Sequence, residues 1–134
     1  MKSNSKTVAI DAWAMMAWVN DEMPAAEEVQ RLLDRAEAGR VRILFSLMNA
    51  GEVFYLLAKR CGPEIAMQFN HRLSSLPLTL VAPGTGDIWR AADLKGKYGM
   101  SYADAFAAAL ALDRGIELLT GGADFRPVEN SQIH

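Results

Sequence analysis

The chain has 134 residues, 51% of them hydrophobic and 22% charged, with a formal net charge of −2. That length suits one domain, expected over 1–134 with a core at about 7–125, able to bury an interior without disulfides or a structural metal. A lone Cys61 excludes an internal bridge and fits a reducing compartment; with only His71 and His134 beside it, a Cys/His zinc centre is excluded too. The near-neutral charge excludes a polybasic protein that holds nucleic acid by phosphate contacts alone, but leaves nucleic-acid chemistry through a metal open. No secretory apolar region and no run of about 18 apolar residues occurs, so the expectation is a cytoplasmic protein without membrane contact.

Thr7-Val8-Ala9-Ile10 reads as a strand buried on both faces. Asp11 ends it and an all-apolar helix follows, Ala12-Trp13-Ala14-Met15-Met16-Ala17-Trp18, which belongs in a core or under a partner. Val29, Leu32, Leu33 and Ala36 recur at helical spacing before a capping Gly39. Residues 41–45 read as a second strand and 47–60 as a helix entered through Ser46 or Asn49. Pro63 suits the first position of a helix over 63–76. A third strand is expected at 78–81, a Pro-Gly-Thr-Gly turn after it, and helices at 87–98 and 102–114, the last Ala-rich and closed by Gly115. Residues 117–120 read as a fourth strand, and the tail as a short edge strand. Strands alternating with helices predict a three-layer α/β/α sandwich on a mostly parallel sheet of about four to five strands.

Ligands of such sheets bind beyond the carboxyl ends of the strands, where Asp11 and Asp124 fall. Each has a structural explanation as well. Asp11 is a good helix N-cap, and Asp124, in Thr120-Gly121-Gly122-Ala123-Asp124, suits a turn. Glu52 has Met48, Asn49, Tyr55 and Leu56 one turn away, a mostly apolar set that places a carboxylate on an inward face, where it needs a partner or a metal. Ser101-Tyr102-Ala103-Asp104 is a capping-box pattern, and Ser101 can cap while Asp104 points into a cleft. Carboxylates gathered at one sheet edge raise each other's pKa unless a cation is present. Oxygen-only donors suit Mg2+ or Mn2+, which could activate water against a phosphodiester.

Four segments stand in order: Val8-Ala9-Ile10-Asp11 before an apolar helix, Asn49-Ala50-Gly51-Glu52-Val53, Tyr98 through Ala105 before an alanine-rich helix, and Leu118-Leu119-Thr120-Gly121. Together they resemble the PIN-domain family, and within it the VapC-type toxins of toxin–antitoxin pairs. Each is weak alone; four in order from about Thr7 to Phe125 are specific. The resemblance implies a Mg2+- or Mn2+-dependent endoribonuclease, commonly a homodimer, inhibited by a small antitoxin protein. Asp11, Glu52 and Asp104 would take the principal acidic positions and hold the metal, with Ser101 as a hydroxyl helper. The fourth motif departs from the usual Thr-Gly-Asp, because Gly122 stands where the family has an acid, and Asp124 is the candidate substitute as ligand and catalytic residue. That departure motivates an alternative, a catalytically weak PIN-like module binding RNA or a protein. A signalling receiver domain ranks below both, because the chain lacks an acidic pair before its first helix and a lysine after a late strand. Lys59, Arg60, Arg72, Arg90, Lys95 and Lys97 are candidate RNA contacts, His71 a surface residue, and Met15 with Met16 either core or a dimer surface.

Overall fold

Alternation along the strands decides the layering. In a computed structural model describing residues 6–120, β1 (Lys6–Ile10), β2 (Val41–Ser46), β3 (Thr79–Val81) and β4 (Glu117–Leu119) form a four-stranded, wholly parallel sheet in the order β3-β2-β1-β4. Val8, Ile10, Val41, Ile43 and Phe45 point to one face. That face is covered by α1 (Ala12–Val19), α2 (Ala25–Glu37), α3 (Leu47–Cys61) and α4 (Pro63–Leu73). Ala9 and Leu44, of opposite parity, meet Leu110 and Ala111 of α6 (Tyr102–Arg114), and α5 (Thr85–Tyr98) packs outside α6. The run Ala107-Ala108-Ala109 lets α6 lie close, since a methyl is the smallest side chain that still buries apolar surface. The expected three-layer sandwich is therefore present.

Several boundaries and roles differ from the sequence expectation. The α4 helix stops at Leu73 rather than 76, where the Ser74 and Ser75 hydroxyls bond the His71 and Arg72 carbonyls and Pro77 disfavours a helical Leu76. The α5 helix begins at Thr85, inside the expected turn, because the Asp87 carboxylate accepts from the Gly84 N–H at 2.8 Å and satisfies an N-terminal donor. Met15 and Met16 are core residues, not a dimer surface. The alternatives for entering α3 resolve in favour of Ser46, whose hydroxyl accepts from Met48 N. The expected edge strand in the tail lies outside the described residues, as does Asp124. Among the described residues no helix is long and apolar enough to cross a membrane.

The strand order fixes where chemistry can sit. From β1 the chain moves to β2 and β3 on one side, while β4 joins on the other. The carboxyl ends of β1 and β4 flank the point where the direction of winding reverses, a crevice that α/β sheets use for ligands.

Candidate active site

Asp11 follows the last residue of β1 and is fully buried at this crevice. Its Oδ1 accepts from Ala14 N at 2.8 Å and caps α1, while its Oδ2 accepts a hydrogen bond from the Thr120 hydroxyl, just past β4. The N-cap role and the site role thus coexist in one carboxylate. Burial pushes its pKa from 3.8 up to about 6; the Thr120 and Ala14 hydrogen bonds oppose the rise and the charge of Asp104 adds to it.

Glu52 lies in the second turn of α3 and is half-buried. Burial raises its pKa, and the charge of Asp104 raises it further. The inward placement expected for Glu52 holds, but its neighbours differ from the expectation. Met48 and Tyr55 face solvent, and the buried neighbour one turn earlier is the polar one, Asn49. Asn49 Nδ2 donates to the Ala103 carbonyl at 2.9 Å, tying α3 to the residue before Asp104. Its Oδ1 is buried with no hydrogen-bond partner among the described residues. The sequence offers Asn49 as a possible cap and as the first residue of the second acidic motif; its bond to Ala103 is not visible in either, although its position three residues before Glu52 is a signal.

Ser101 caps α6, its hydroxyl accepting from Asp104 N at 3.1 Å. The cap sets the helix start so that Asp104 lies in the first turn, near both Asp11 and Glu52. Gly99, in the left-handed conformation at φ +69°, closes α5 and turns the chain into this segment. Lys95 secures the turn by donating to the Met100 carbonyl at 3.1 Å.

Asp11, Glu52 and Asp104 are thus brought to one end of the sheet, with Ser101 and Thr120 bonded to two of them or their backbone. Glu52 and Asp104 open onto a cleft of about 190 Å³, whose other walls include Trp13, Glu22 and Arg60. Among the described residues no three acidic, histidine or cysteine side chains are gathered closely enough to enclose a metal ion by themselves. His71 is exposed on α4, as expected, and Cys61 is exposed at the end of α3.

A parallel α/β domain with acids converging at its winding reversal is the class of protein the fold defines. The PIN-domain family model matches residues 8–130, and the chain belongs to that family. Solved structures agree at the level of fold. A VapC toxin from Mycobacterium tuberculosis, described as cleaving the sarcin-ricin loop, is 20% identical with a TM-score of 0.71, covering 90% of this chain and 94% of that one. The Rickettsia felis VapBC2 structure, bound to promoter DNA, is 13% identical with a TM-score of 0.69, covering 92% of each chain. A toxin–antitoxin complex from Klebsiella pneumoniae is 19% identical with a TM-score of 0.65, covering 89% and 90%. No curated protein sequence matches the chain.

Proposed function

We propose that this PIN domain is a metal-dependent endoribonuclease that hydrolyses RNA phosphodiester bonds as the toxin of a type II toxin–antitoxin pair. The observation that carries the reading is the convergence of Asp104 on both Asp11 and Glu52, each with its pKa raised, at the winding reversal of the sheet. Similarity in fold to VapC toxins, some solved with their antitoxins, supports it.

The donors suit magnesium or manganese. They are hard carboxylate oxygens. A cation would also favour the charged carboxylates that burial, and after it the charge of Asp104, disfavours at Asp11 and Glu52. A magnesium-type centre keeps waters and takes phosphate oxygens, so it does not need a closed cage of protein ligands. When bound, such an ion acidifies an attacking water and offsets charge on the phosphate. Asp11, Glu52 and Asp104 would hold it. Ser101 fixes the backbone of Asp104, Thr120 orients Asp11 by hydrogen bonding its outer oxygen, and Asn49 sets the spacing of α3 from α6. Asp124 would complete the acidic set in place of Gly122. In this reading residues 1–134 are one domain, working as a homodimer and silenced by a small antitoxin protein.

The test is cleavage of a mixed RNA panel with manganese, magnesium or excess chelator, comparing the antitoxin-free protein with Asp104→Asn. Cutting that needs the metal and disappears in the variant is the expected result. Cutting that persists in chelator refutes the proposal. Gly122, standing where PIN toxins usually carry an acid, favours one second reading, a module that binds metal and RNA without turnover. Manganese binding by calorimetry without cleavage of any RNA would select it.

A further inference from the structure

Six basic residues are candidates for holding RNA, and their contacts separate them. Arg72 lies over the Trp18 ring, 4.7 Å from its centroid. Arg90 pairs with Asp113 at 3.2 Å and Lys97 with Asp93 at 3.1 Å, while Lys95 is bonded to the Met100 carbonyl. Of the other two, Lys59 and Arg60, it is Arg60 that lines the cleft with Glu52 and Asp104. Glu52, Leu56 and Arg60 follow one another at four-residue spacing along α3, so Arg60 stands on the same face, about 12 Å along the helix from Glu52. Among the described residues it has no ion pair.

The α1 helix brings a different chemistry to the same cleft. Ala12, Ala14, Met15, Met16 and Ala17 of α1 are buried, but Trp13 is 45% exposed and lines the same cleft. It also borders an adjoining cavity of about 290 Å³ that reaches Thr120. Glu22 borders both spaces beside Trp13, which disfavours a phosphate on that side. An exposed aromatic face suits an unpaired base, and an arginine lining the same cleft suits the backbone.

We infer that Arg60 and Trp13 are the two RNA-positioning residues of this cleft, Arg60 taking a backbone phosphate beyond the scissile one and Trp13 stacking an unpaired base. The substrate is accordingly single-stranded at the cut, because a base within a duplex is already stacked on its neighbours. The inference rests on reading the acidic cleft as an RNA site.

The experiment measures binding of a short fluorescent single-stranded RNA by anisotropy in chelator, where the proposed nuclease does not cut, over a range of salt. Arg60→Ala is expected to weaken binding about tenfold and to reduce the slope of log K against log salt by about 0.7, the loss of one phosphate contact on a single strand. Arg60→Lys restores the slope. Trp13→Ala weakens binding about tenfold with the slope unchanged, and Trp13→Phe recovers most of it. Lys59→Ala binds like the wild type. An unchanged slope in Arg60→Ala, a duplex that binds as tightly as the single strand, or a wild type that binds no RNA overturns the inference. The two proposals fail separately. A wild type that binds but never cuts RNA in manganese or magnesium refutes the nuclease, whereas a cutting wild type whose Arg60→Ala and Trp13→Ala variants keep its KM refutes this assignment.

Discussion

Replacing Asp11 by Asn is expected to make the metal-free protein more stable while removing its activity. Asp11 is fully buried, and its pKa is pushed from 3.8 to about 6, so its folded form binds the proton more tightly than the unfolded chain does. For such a group the stability contributed by protonation is fully present below pH 3.8 and is lost as pH rises through 6. About two pH units at 1.36 kcal/mol each give a cost of about 3 kcal/mol at neutral pH. Asparagine keeps the shape, and its Oδ1 can still accept from Ala14 N, while Thr120, able to donate or accept, can turn to meet the amide. The variant should therefore gain about 3 kcal/mol at pH 7.5, or about 10 °C in Tm, and gain nothing at pH 3.5. The assay is urea denaturation of both proteins in chelator across this range, with the difference between them plotted against pH. Taking the difference removes the titration of the other carboxylates. A difference that stays flat with pH, or a variant less stable than the wild type at pH 7.5, would refute the argument.

Four further outcomes follow from the same contacts. Manganese at ten times its Kd should stabilise the wild type by about 1.4 kcal/mol in thermal denaturation and leave Asp104→Asn nearly unmoved. Asp104→Asn should also lower the Glu52 pKa toward its ordinary value, since one of the two causes of the rise is removed; carboxyl titration by NMR in chelator reads this directly. Asn49→Ala loses the bond to the Ala103 carbonyl and should cost about 1–3 kcal/mol in urea denaturation, and in cleavage assays it should lower kcat more than it raises KM. Ser101→Ala should cost about 1 kcal/mol and Ser101→Gly only a few tenths, the signature of an N-cap, measured by the same denaturation.

The elements were legible because each strand is a short apolar run and each helix has a visible beginning or end. Gly115, Pro63 and Ser101 occupy the capping positions their chemistry suggests. The misplaced boundaries fall where side chains reach back to the backbone: Asp87 to Gly84, and Ser74 and Ser75 to the preceding turn. Such bonds depend on rotamers that hydrophobic periodicity does not encode. Within the site, Asp11, Glu52 and Asp104 were legible from strand ends and helix faces, because those positions follow from local pattern. Asn49 stands in the second motif and Arg60 among six candidate RNA contacts, but their particular places are not legible, since one depends on a partner 54 residues away and the other on sharing a cleft with Glu52 and Asp104. Periodicity around Glu52 also suggested an apolar surround, whereas the inward neighbour is an amide. A polar residue on the buried side of a helix is the signal that was available.

The acids of this site hold the fold and oppose it at once. Asp11 caps α1, and the hydroxyl that caps α6 accepts from the backbone of Asp104, so the helix starts that the sheet requires are also what deliver the carboxylates to the winding reversal. Because capping fixes the backbone, the carboxylates are held where they are, and burial first and the charge of Asp104 second keep the Asp11 and Glu52 pKa values raised. A cation that binds there offsets that penalty on the charged carboxylates, and its affinity is then coupled to folding. The family resemblance puts Gly122 at the fourth acidic position, and an acid proposed there would add both to the repulsion and to the affinity for an ion. On this argument a Gly122→Asp variant should be less stable in chelator and gain more from manganese than the wild type does, and thermal denaturation with and without the metal measures both. If the substitution changes neither, position 122 lies outside the electrostatic reach of Asp11, and the three described carboxylates act without a fourth there.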